Sequence, residues 1–112
     1  MAEITDETMR SALATVRGYT VVLLKDGPNR HMDGVERIVW EHGRRNFSHR
    51  ADGLLSIVCP VADDTSLCGV GIYDADPDRV RELMEEDPGV RAGVFTYEIH
   101  PVRSFPGDTL PT

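Results

Sequence analysis

No stretch of this 112-residue chain approaches the ~20 consecutive apolar residues that a helix needs to cross a bilayer. Its opening, Met-Ala-Glu-Ile-Thr-Asp-Glu, is acidic and lacks the basic start and apolar core of a signal peptide, so the expected compartment is the cytoplasm. Positive charge is also scarce. Twelve Lys and Arg against nineteen Asp and Glu leave a net charge of −7, which argues against a partner whose phosphates demand a basic face. Neither nucleic acid nor a membrane is an expected partner. Cysteine is limited to Cys59 and Cys68, too few for a disulfide framework. They flank an expected hairpin, where a disulfide is conceivable, but two buried, reduced thiols are the favoured reading. No Cys-x-x-Cys pair is present, so no metal site is expected.

What remains is an ordinary globular composition, 40% hydrophobic and 28% charged, in one domain able to bury a small core. Thr5 or Asp6 is placed to cap a helix over about Glu7 to Arg17, with Met9, Leu13 and Val16 on one face. Tyr19 to Lys25 is a β-rich apolar run, closed by the turn Asp26-Gly-Pro-Asn29. A helix follows from Val35 and stops at Gly53, whose lack of a Cβ suits a left-handed cap. Leu54 to Cys59 and Leu67 to Tyr73 read as a hairpin. Gly69 and Gly71, two apart on the second of these strands, expose bare backbone on one side, with room for a ligand or a close neighbour. Asp76 and Pro77 open another helix, with Val80, Leu83 and Met84 inward, which breaks at Asp87-Pro88. Val94 to His100 alternates as a last strand, with Phe95, Tyr97 and Ile99 on one side. The tail from Pro101 holds three prolines and is expected to be irregular.

The order is a helix and then β-α-β-β-α-β, the split, ferredoxin-like α+β arrangement with a four-stranded antiparallel sheet. Both sheet-packed helices lie on one face, so a second subunit is expected to cover the other by sheet-to-sheet packing. The expected division is a helical extension over 1–18, the domain over 19–101 and an extended tail over 102–112.

One residue breaks the helical pattern. At 3.6 residues per turn, Val35, Ile38, Val39, His42, Asn46 and His49 share a face that begins apolar and ends in polar groups. A buried face that turns polar halfway along is how a helix lines a pocket. The split topology brings the end of the Asp76-capped helix, and hence Asp87, towards His42. A carboxylate on one imidazole nitrogen fixes the tautomer and leaves the other as base or acid. The plainer alternatives are a core histidine bonded to a carbonyl, and an aspartate that only caps the turn after its helix. Asn46 and His49 are alternatively near a solvated helix end, the reading favoured for His49. Arg44, Arg45 and Arg50 are expected at the surface, though one is available to hold a substrate anion. Trp40 and Phe47 are expected to pack against the first helix.

Several landmarks resemble the YCII-related family, within the dimeric α+β barrels that include muconolactone isomerase-like proteins. His42 stands eleven residues before Gly53, which opens the second strand. Pro60 sits where the family has a Gly-Pro, with Cys59 in place of the glycine. Asp87-Pro-Gly-Val-Arg-Ala-Gly-Val94, leading into a strand that ends at Pro101, is the most specific part. The resemblance covers about Tyr19 to Pro101. It implies a homodimer and a His–Asp pair matching His42 and Asp87, and it adds Pro60 to Asn46, Gly69 and Gly71 as substrate-binding candidates. One member type resembles a dehydrochlorinase acting on chlorinated hydroquinols.

The leading expectation is a small homodimeric enzyme using His42 and Asp87 for elimination, isomerisation or lactone hydrolysis on a small organic molecule, with no cofactor. The alternatives are a non-catalytic binding or accessory domain, and a histidine buried for stability alone. Heme held by His42 is a further idea, suggested by related barrels, but no second ligand completes a coordination set.

Overall fold

Alternation along the strands builds the sheet. In the computed structural model, which describes residues 1–112, the chain runs α1 (Asp6–Leu13), β1 (Arg17–Asp26), α2 (Val35–Ala51), β2 (Leu55–Pro60), β3 (Leu67–Tyr73), α3 (Pro77–Glu85), α4 (Pro88–Arg91) and β4 (Phe95–Ser104). The strands form one antiparallel sheet in the order β2-β3-β1-β4. This is the ferredoxin-like α+β fold.

Thr20, Val22 and Leu24 of the central strand β1 are buried on the side that faces the helices. Val80, Leu83 and Met84 meet them from α3, and Leu55, Tyr73, Val94 and Phe95 complete the core. Val80 and Val94 are fully buried. Thr20 carries the one hydroxyl among the fully buried side chains, and it donates to the Ala75 carbonyl at 2.7 Å. That bond offsets the cost of a buried polar group.

Helix starts follow local chemistry. Thr5 Oγ1 accepts from Thr8 N–H in α1, and Asp76 Oδ1 accepts from Arg79 N–H in α3. Gly34 and Gly53 flank α2 at φ of 79° and 77°, where a side chain would be strained.

Four expectations need correction. β4 continues through Pro101 to Ser104, paired with Arg17–Thr20, where an irregular tail was expected. The proline is tolerated because β4 is an edge strand, which can lack one donor. Secondly, α1 ends at Leu13 and has no buried residue, so it does not cover Trp40 and Phe47, which are 68% and 65% exposed. The three residues between α1 and β1 span at most ~10 Å, too little to fold α1 back over the helical layer. Thirdly, the chain does not simply break at Asp87-Pro88. Asp87 caps the extra turn α4, with Pro88 at its first position. Finally, the thiols are free but not buried: Cys59 is exposed and Cys68 half-buried. Cys59 pairs with Val70, across from the sheet's core side, which explains its exposure.

No helix is long and apolar enough to cross a membrane.

Candidate active site

His42 lies on the inward stripe of α2 and is 8% exposed. Asp87 reaches it from the other helical segment. Once α3 ends, the Asp87 N–H bonds to the Met84 carbonyl, and the side chain turns inward to cap α4. Its Oδ2 accepts from the N–H groups of Gly89 (2.9 Å) and Val90 (3.2 Å). Both carboxylate oxygens lie 2.9 Å from His42 Nδ1. Capping and imidazole contact were separate readings of Asp87 in the sequence; one side chain does both. Arg45 steadies this corner. It reaches across from α2 to donate to the Leu83 carbonyl (3.0 Å) and to Glu86 (3.3 Å), although a surface position was expected for it.

Gly89 is needed here for space. A Cβ at this position would come within 2.6 Å of the Phe95 ring and 3.1 Å of Asp87 Oδ2. Gly89→Ala should therefore displace Phe95 and loosen the Asp87 cap, costing about 1–3 kcal/mol in a urea unfolding curve. Unchanged stability would mean that the corner yields more easily than its packing implies.

The contacts define the imidazole's protonation. A carboxylate only accepts, so Nδ1 carries the hydrogen and Nε2 has the lone pair in the neutral ring. Asn46, one turn along α2, has its Nδ2 3.3 Å from Nε2 and donates to it. The ring packs at 4.7 Å, tilted, against Phe95. Nε2 is thus the basic atom of the ring, backed by Asp87 through Nδ1 and packed on Phe95, with its lone pair accepting from Asn46.

A cavity of about 400 Å³ opens in front of it, within the range of small-molecule sites. His42, Asn46, Pro60, Gly69 and Gly71 all line it, with Val22, Leu24 and Tyr73 as apolar walls. The two glycines differ. At Gly71 a Cβ would press on Leu55 (3.2 Å) and the Tyr73 ring (3.3 Å), whereas at Gly69 it would make only ordinary contact. Gly71 therefore admits close neighbours and Gly69 leaves room. Burial first, and then the Asp87 charge, push the Tyr73 phenol up to about 12, so it remains a hydroxyl at neutral pH. The exposed side chains of Phe47 and Arg50 stand at the mouth, with the guanidinium 5.5 Å from the ring centre.

The sequence reading missed Arg30, which also lines the cavity, because a loop residue has no periodicity to reveal its direction. It also misplaced His49, which is 8% exposed rather than solvated. α2 continues for two residues beyond His49, and the T-shaped contact with Tyr73 at 6.2 Å closes over the ring. Its Nδ1 is buried without a partner. Desolvation, aided by Arg45, lowers its pKa below the usual 6.5. The unfolded chain then binds a proton that the folded chain refuses, so stability is complete above about pH 6.5 and falls as the pH drops towards the folded value. A Tm series from pH 7.5 to 5 should show a smaller loss for His49→Phe than for the parent. Parallel curves would rule out this linkage.

No family model matches the chain, and comparison with curated protein sequences found no relative. A solved structure does match. It is the 5-chloro-2-hydroxyhydroquinone dehydrochlorinase of Burkholderia phenoliruptrix in complex with 2,5-dihydroxybenzoquinone, with a TM-score of 0.55 and 19% identity, over 73% of this chain and 90% of that one. At that identity the likeness establishes the fold alone.

Proposed function

We propose that this chain is a small homodimeric enzyme of the YCII-related kind that moves a proton on a small, planar organic molecule, with His42 as the base. One observation carries the reading: His42 is held through Nδ1 by a buried carboxylate while its ring and the Asn46 amide on Nε2 line a cavity of ligand size.

The chemistry follows from that tautomer. Nε2 takes a proton from an activated carbon of the bound molecule, and the C–H pair becomes part of a new double bond. Asp87, fixed by two amides, stabilises the imidazolium that results. In an elimination, a leaving group such as chloride departs with its bonding pair. In an isomerisation, Nε2 returns the proton to a different carbon. The Asn46 amide leaves Nε2 as substrate arrives and donates to a substrate oxygen instead. Dehydrochlorination by the structural neighbour, and its complex with a hydroxylated quinone, support an aromatic or quinonoid substrate class.

Incubation with hydroxylated and chlorinated hydroquinols and with unsaturated lactones, followed by absorbance and by deuterium uptake from D2O, tests the reading. The wild type should turn over at least one of these classes, and His42→Gln should lose that turnover. Equal rates for the two proteins would remove His42 from the chemistry.

The dimer rests on the open sheet face. Ile57, Ile72 and Val21 form one row across β2, β3 and β1, and Val70 and Leu23 lie in the next. All five are half-buried on the side away from the helices, an apolar strip suited to a second copy. Leu23→Glu should sediment as a folded monomer where the parent sediments as a dimer; a monomeric parent would exclude this pairing.

A further inference from the structure

Arg30 is the one cation of the cavity wall that is not at its exposed mouth. Its side chain is 29% exposed and its Nε is shut away from water, yet that atom makes no hydrogen bond. Asp26 forms an ion pair with Arg30, its carboxylate 3.3 Å from Nε but out of hydrogen-bond alignment, and the same Asp26 oxygen already accepts from the Cys68 thiol at 3.1 Å. A guanidinium has five N–H donors in a fixed fork, and leaving a buried one unpaired is costly. The fold holds the group there nonetheless. Gly27 N–H bonds to the Val94 carbonyl, Asn29 N–H to that of Gly93, and Asn29 Nδ2 to that of Ala92. The loop bearing Arg30 is thereby stitched to the segment that runs from Asp87 to Phe95. A Cβ on Gly27 would lie 2.3 Å from the Gly93 oxygen, so this seam admits only glycine.

The Phe95 ring links the two polar groups. Arg30 Cζ lies 5.4 Å from its centre and the His42 ring 4.7 Å from it. A flat molecule in the cavity thus meets a base and a cation on a shared aromatic surface. We infer that Arg30 is the anion-binding group of this site, selecting planar substrates that carry a carboxylate or phenolate oxygen and presenting their carbon skeleton to His42 Nε2. Arg50 does not compete for this role, because it stands exposed at the mouth against Phe47. The inward guanidinium, only partly balanced by Asp26, favours anions over the neutral molecules that the apolar walls would otherwise admit. An oxyanion gains charge-assisted hydrogen bonds from the fork that a neutral analogue does not.

The inference rests on the cavity being the substrate site, and the test separates the two. Benzoate, 4-nitrophenolate and uncharged benzamide are titrated into wild type, Arg30→Gln and Arg30→Lys, with binding read by NMR at the imidazole resonances of His42. Wild type should bind at least one anion more tightly than benzamide. Arg30→Gln should weaken that anion about tenfold or more and leave benzamide unchanged. Arg30→Lys, which keeps the charge but loses the fork, should fall between them. Unchanged anion affinity in a folded Arg30→Gln, or binding of benzamide alone by wild type, would overturn the role of Arg30 and spare the cavity. If no probe moves the His42 signals, the cavity reading and this inference fall together.

Discussion

Asp87→Ala should unfold far more easily than the parent chain. The substitution strips an acceptor from three donors at once: the buried His42 Nδ1–H and Gly89 amide, and the half-buried amide of Val90. A buried donor left without its acceptor costs about 1–3 kcal/mol, so the three together should cost about 3–5 kcal/mol. At about 4 °C per kcal/mol for a domain of this size, Tm should fall by 12–20 °C or so. α4 should fray and Phe95, which packs on His42, should lose its backing. A loss below about 1 kcal/mol would mean that water takes over the three bonds, and that the site is wetter than its 3% exposure at Asp87 implies.

Asp87→Asn separates folding from chemistry. The amide keeps a single carbonyl oxygen, which at the Oδ2 position still serves the α4 amides, while an NH2 group takes the place of Oδ1 against His42 Nδ1. If the oxygen stays with the amides, the NH2 group faces Nδ1, and the imidazole must move its hydrogen to Nε2. The basic lone pair then points away from the cavity. Tm should fall by well under half of the Asp87→Ala loss. Turnover of any substrate found for the wild type should drop by about 10²–10⁴, the range that a positioned acid–base group supplies. A variant as active as wild type would show that Asp87 does no more than cap α4.

Much of this was legible before the structure. The inward stripe of α2 follows from helical period alone, and it placed His42 and Asn46 where they stand. Alternation in the Phe95, Tyr97 and Ile99 strand gave its two faces. Asp87 is singled out by the family resemblance, and the split βαβ order supports it, because it brings the end of one helix to the side of the other. What stayed hidden depends on contacts between distant segments. His49 looks solvated near its helix end until Tyr73 closes over it. Pro101 reads as a strand breaker until its strand is known to be an edge. Trp40 and Phe47 invite a partner that α1 is too tightly tethered to provide. Arg30 lies in a turn, where direction is set by the seam with Gly93 and Val94, 63 or more residues away along the chain.

The central claim is that His42 and Asp87 form the working end of a small-molecule site. Thermal unfolding of wild type and of His42→Gln against hydroquinols, hydroxyquinones and lactones tests it most directly. A ligand at 100 times its dissociation constant adds about 2.7 kcal/mol, or a Tm rise of roughly 10 °C. The account predicts such a rise for at least one class in wild type, and its loss in a folded His42→Gln. A destabilised His42→Gln together with no ligand response in wild type would contradict it, and would make the pair a structural hydrogen bond alone.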